Sequence, residues 1–169
     1  DASIAAQGEI TDFAAGFAQS GAAAHQAGVS IEDTTALLTM LGRAGIKGAD
    51  GGTSLRTMLL RLVPTTKEAA RYTEALGIHL DKTKTIGAQL PGVIEQYRTQ
   101  LMLLNPQQQT LVLNQIFGQD AFRAASVIFS QQKDALKDLT DEFKSTNAIE
   151  DLAAAKAAGL SGAVGSLQS

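Results

Sequence analysis

The sequence predicts an all-α fold: a multi-helix bundle of short amphipathic helices, with one long N-terminal helix and a projecting C-terminal helical arm. Three observations predict it. Apolar residues return every three or four positions through most of the chain, the spacing of one helical face. Glycine, proline and polar capping residues cut this pattern into pieces. The composition, 44% hydrophobic but only 5% aromatic, with no Trp and 16 Gly, suits helices packed through thin side-chain layers.

Residues 3–27 place Ala6, Ile10, Phe13, Phe17, Gly21 and Ala24 on one face and predict the long helix. Gly8, Gly16 and Gly21 each weaken it by up to ~1 kcal/mol relative to Ala, so they mark close approach to another backbone or breaks. Gly28 offers a stop. Ser30-Ile31-Glu32-Asp33 offers a capped start for a second helix, with Ile31, Leu37, Leu38 and Leu41 pointing one way and Gly45 as a left-handed stop. Residues 46–52 hold three glycines and read as a turn. A third helix is expected from Thr53, carrying Leu55, Met58, Leu59 and Leu62, with Arg56 and Arg61 off that stripe and Pro64 ending it.

Thr65-Thr66-Lys67-Glu68 fits a capping box that opens a helix to Leu76, stopped by Gly77. Residues 78–90 suit either an irregular loop or a small two-stranded hairpin. After Pro91 a helix resumes through Val93, Ile94, Tyr97, Leu101 and Leu104. Asn105-Pro106-Gln107-Gln108 caps the next, with Asn at N-cap, Pro at N1 and Gln at N3. That helix carries Val112, Leu113, Ile116 and Phe117, turns at Gly118, and leads into another with Ala121, Phe122, Ala125, Ile128 and Phe129. The chain divides into a helical core domain over 1–130 and an arm over 131–169, first charged and then Ala-rich.

Several function classes find no support. The net charge of −3 supplies no basic field for general nucleic-acid binding. The absence of Cys removes disulfides and thiolate metal sites. The longest aliphatic/Met run, Leu101 to Leu104, falls far short of the ~18 residues a membrane span needs. Starting at Asp1 and ending in a Gly/Ser-containing run, the chain reads as a segment of a longer protein.

No candidate catalytic, cofactor or metal residues emerge. His25 and His79 are the two histidines, far apart and without Cys, and read as ordinary surface residues. In Asp81-Lys82-Thr83-Lys84-Thr85-Ile86-Gly87 the calcium-loop pattern fails, because two lysines oppose the cation and the ligand positions hold Thr. The Gly45–Thr53 stretch lacks the order of a phosphate loop, since Lys47 precedes Gly48; close helix packing explains its glycines. Arg56 and Arg61 are candidates for contact with a partner's carboxylates, set against the simpler reading of solvated helix-face arginines.

The run GIKGADGGTSLRTMLLRL from Gly45 to Leu62, then Pro64-Thr65-Thr66-Lys67-Glu68-Ala69 and Leu76-Gly77-Ile78, closely resembles the core region of phage tail tape-measure proteins. Gly28 to Asp33, Leu90 to Ile94 and Ile116 to Ala121 follow in the same order, so the likeness covers roughly residues 10 to 130. Its structural motif here comprises Gly45, Gly48, Gly52, Thr53, Leu55, Arg56, Leu59, Pro64, Gly77, Phe117 and Gly118. The resemblance implies a non-enzymatic minor tail protein of a phage or prophage, packed in the tail-tube lumen, whose full length sets that of the tail. It implies self-association, tail-tube protein, tail assembly chaperones and the tail tip or baseplate hub as partners, no cofactor, and residence in the virion tail after assembly in the host cytoplasm. The family's long helical ruler and hydrophobic spans lie outside this segment. Two other classes stand beside this one: a helical adaptor or secreted effector module, and an accessory part of a peptidoglycan-degrading tail protein.

Overall fold

The computed structural model describes residues 2–145 and Ala154, residues 2–10 through their backbone alone. Over residues 2–145 eight helices follow one another: α1 Ala2–Gln26, α2 Ile31–Arg43, α3 Gly48–Arg61, α4 Lys67–Leu76, α5 Ile86–Met102, α6 Pro106–Phe117, α7 Gln119–Phe129 and α8 Ala135–Lys144. No strand occurs among the described residues. The all-α bundle with one long N-terminal helix is what the apolar spacing predicts.

Local chemistry sets most boundaries. The Asp33 amide donates to Ser30 Oγ at 3.0 Å, and Asn105 with Gln108 forms a complete reciprocal capping box. Three helices end on a left-handed glycine: Gly28, Gly45 and Gly77 have φ of 75°, 91° and 82°. At each, the following amide reaches back to the carbonyl five residues earlier, Val29 to Ala24, Ile46 to Leu41 and Ile78 to Thr73. This closes orphan carbonyls that a helix end otherwise leaves bare.

Four expectations need correction. Residues 48–52 are not a turn but the opening of α3, because burial of Gly51 and Gly52 against neighbouring backbone offsets their propensity cost of ~1 kcal/mol each. The cap of α4 is Thr66, which accepts from the Ala69 amide at 3.0 Å. Glu68 therefore sits too early for a capping box and pairs instead with Arg71. Helix α5 starts at Ile86, ahead of Pro91, which lies exposed inside it. Its start is held by Thr85, whose hydroxyl accepts from the Ala88 amide, and by Gly87, whose amide donates to the Ala27 carbonyl at 2.8 Å. The first part of the arm does not project. Helix α8 lies on α2, burying Leu136, Leu139 and Thr140, with the Thr140 hydroxyl donating to Asp33 at 2.8 Å. The predicted Ala-rich helix over 147–158 falls, apart from Ala154, outside the described residues.

Between the two readings of residues 78–90, the chain takes the irregular loop, followed by the start of α5. Side chains of α5 satisfy its backbone in place of a partner strand. Gln96 accepts from the His79 amide and donates to its carbonyl, and Gln89 does the same for Asp81. Asp81 in turn accepts from the amide and hydroxyl of Thr83, which holds its carboxyl below the usual range.

Helix α3 is central, packing against α1, α2, α6 and α7 through the fully buried Leu55 and Met58 and the nearly buried Leu59. The remaining core gathers around an aromatic trio from α5, α6 and α7. Tyr97 stacks on Phe129 with centroids 4.2 Å apart, and Phe117 meets both rings at a tilt. Of the buried Ser and Thr hydroxyls, those of Ser20, Thr34, Thr35 and Thr73 each donate to the carbonyl four residues back, and that of Thr140 donates across to Asp33.

The Tyr97 hydroxyl is the exception, buried and without a hydrogen bond of normal geometry, although Thr73 nearby favours its ionised form slightly. Burial pushes its pKa up to about 12 from 10. The folded chain therefore holds this proton where the unfolded chain has lost it, and stability falls as pH climbs from about 10 to about 12. Tyr97→Phe is expected to leave urea stability at pH 7 within ~1 kcal/mol of the parent, since no hydrogen bond is lost. Between pH 10 and 12 the variant should lose roughly 2–3 kcal/mol less than the parent. Equal losses in the two proteins would refute the assignment.

Candidate functional site

The residues singled out in the sequence do not converge on a pocket; they build the contacts that lock α3 into the bundle. At its N-terminal end α3 crosses α1 backbone to backbone. A Cβ on Gly52 would fall on the Gly16 carbonyl and within 2.8 Å of Gly16 Cα and Gln19 Cβ. Gly51 has the Ile46 carbonyl in the same position, 2.7 Å from where its Cβ would lie. Gly48 has φ 59° and opens the helix, and Gly45 closes the one before. Gly16 thus marks close approach, and α1 runs through it without a break.

At its other end α3 meets the corner between α6 and α7. Arg61 extends a guanidinium N–H to the Phe117 carbonyl, an orphan acceptor at the negative end of α6. Gly118 follows with φ 75° and ψ 172°, a conformation essentially reserved for glycine, and a Cβ there would fall on the same guanidinium. Arg61 is thereby tied inside the fold through one of its guanidinium N–H groups, while the residue stays partly exposed. No periodicity argument reveals such a tie, since its acceptor is a carbonyl 56 positions away.

The remaining motif residues divide by face. Leu55 and Leu59 are buried, Pro64 is half-buried in the link to α4, and Gly77 caps α4. Thr53, Arg56 and Leu60 lie exposed at i, i+3 and i+7 along the outer side of α3, with exposed Val63 just beyond. Leu60 and Val63 are 52% and 54% exposed, so Arg56 sits beside apolar surface on the free side of the helix.

A cleft of about 440 Å³ lies between the start of α3 and the end of α8. It combines Asp12 and Glu142 with Arg43 and Lys47 around an apolar floor that includes Phe13 and Phe143. His25 and His79 are both exposed, on α1 and in the 78–85 loop, and neither borders the cleft. No group of three His, Asp or Glu able to hold a metal occurs among the described residues.

Two glycine substitutions separate close contact from simple propensity. Gly52→Ala is expected to cost at least ~2 kcal/mol, because the added methyl meets rigid backbone of α1. Gly42→Ala, in a helix where nothing lies within 4 Å of the new methyl, should stabilise by roughly 0.5–1 kcal/mol. Urea titrations of both would show it; two changes of the same sign would contradict the packing argument.

This frame has relatives. A family model described as phage-related minor tail protein matches residues 1–118, from α1 to the Gly118 corner. The tape measure protein of Pneumococcus phage Dp-1 is 26% identical over 133 residues, covering 79% of this chain and 12% of that protein. The probable tape measure protein of Escherichia phage P2 is 33% identical over 132 residues, covering 73% of this chain and 16% of that protein. The chain therefore spans less than a fifth of the length of either curated relative. No solved structure matches it. The family match takes in α1 to α6 and every glycine of the α3 frame, and the chain belongs to the phage-related minor tail protein family.

Proposed function

We propose that this segment anchors or nucleates assembly within a tape-measure protein, rather than serving as its measuring rod. The observation that carries this reading is the folded-back course of a chain similar to tape measure proteins. A ruler gains ~1.5 Å per residue only while its helix runs on. Among the described residues the longest helix has 25 residues, about 37 Å, and the seven after it have 10 to 17 residues and pack on one another. Length added to such a bundle does not become reach.

In this reading the segment works inside the phage tail, entering it during assembly in the host cytoplasm, without catalysing a reaction. Its partners are further copies of itself, the tail-tube protein, tail assembly chaperones and the tip or baseplate hub. The outer face of α3, where Arg56 adjoins Leu60 and Val63, has the mixed apolar and cationic character of a protein contact.

In-frame deletions confined to this segment, made in the parent phage and scored by electron microscopy, test the assignment. Failure of tail assembly is the expected result. Tails that assemble normally and shorten in proportion to the deletion would make the segment part of the ruler. Gly52→Leu adds no length to the chain, so it should also stop assembly, and any tails that do form should keep the parental length.

A further inference from the structure

We propose that α8 is a releasable strap, an element that opens from the bundle as a unit while α1 to α7 stay folded. The first ground is that it packs chiefly on one helix. It lies on α2 through Leu136, Leu139 and Thr140, with Ala135 and Phe143 half-buried against the core, and the Thr140 hydroxyl makes a polar tie to Asp33. Asp33, Met40 and Arg43 mark the face of α2 that it covers.

The second ground is the space around it. Open grooves of about 440, 180 and 160 Å³ border α8, against its last turn, along its contact with Met40 and Arg43, and under its first turn. Each neighbour missing at such a margin forfeits dispersion contacts. Helix α7 also borders a groove, of about 410 Å³, but has Ala121, Ala124 and Ala125 at zero exposure, whereas Leu136 and Thr140, the most buried residues of α8, are 5% exposed.

The third ground is the joint. Residues 130–134 link α7 to α8 without helical structure, and Asp134 takes φ 63°, the one non-glycine positive φ among the described residues. A turn there reorients α8 without disturbing α7. Because α8 leads directly into residues 146–169, a pull on that following segment reaches α8 before any other described helix. Release would uncover Met40 and the Asp33 carboxylate, turning part of a closed bundle into contact surface.

Hydrogen exchange followed by mass spectrometry on the whole 169-residue chain tests this. Amides of α8 should exchange at least about ten-fold faster than those of α3 and α7, with weak dependence on low urea, as local opening requires. Thr140→Ala should speed α8 exchange by a further ~3- to 10-fold and leave α3 and α7 unchanged. Exchange of α8 at the rate of α7, or an equal rise in all three helices in the variant, would show one cooperative unit and overturn the strap. This outcome is independent of the anchoring role, which rests on tail assembly.

Discussion

Everything in the bundle depends on α1 and α3 touching backbone to backbone. Where Gly16 faces Gly52, a single Cβ would occupy space that the Gly16 carbonyl already fills. With that approach in place, Phe17 on α1 and Leu55 on α3 are drawn into a common core. Helix α3 then lies deep enough to meet α2, α6 and α7 as well. Any larger residue at the crossing would lift α3 outward and loosen all of these contacts at once, since close-packed interiors relax only in part.

The far end of α3 is held by different physics. The Arg61 guanidinium meets a helix C-terminal carbonyl, and Gly118 supplies both the backbone geometry of the corner and the room for the arginine. A cation at that position complements the helix dipole as well as closing a hydrogen bond. One end of α3 thus relies on the absence of side chains and the other on the reach of a long one. The two ends are coupled through the rigid rod between them, so residues as distant as Gly52 and Gly118 act on one helix.

How much of this was legible depends on the range of the cause. The caps at Ser30 and Asn105 and the stops at Gly45 and Gly77 arise from hydrogen bonds spanning three to five residues, so spacing along the chain reveals them. The class of fold follows from the same local rules. The start of α3 was hidden because the three glycines among its first five residues have poor helix propensity, and the close contact with α1 that accommodates Gly52 lies far away in sequence. For 78–85 the irregular loop was one of the two readings the sequence allows, and what spacing does not reveal is that two glutamine side chains on the next helix do the work of a second strand. Helix α8 was misjudged for another reason. Its charged residues are genuinely exposed, but the narrow stripe of Leu136, Leu139 and Thr140 suffices to bind α2.

That narrow stripe also explains how rigidity and release coexist in one chain. The core combines zero-exposure residues on α3 and α7 with hydroxyls bonded inside their own helices, so few of its polar groups depend on a neighbour. Such an interior opens only by losing apolar contact everywhere, which makes it cooperative. Helix α8 adds its share of buried surface at one edge, bordered by grooves on both sides, so its departure leaves the Gly16–Gly52 crossing and the aromatic trio intact. The anchoring role proposed for this segment would be served by this division, which holds the bundle in place and still hands the chain onward. Firm contact lies where α1 and α3 cross, and yielding contact lies where the bundle passes to the residues that follow.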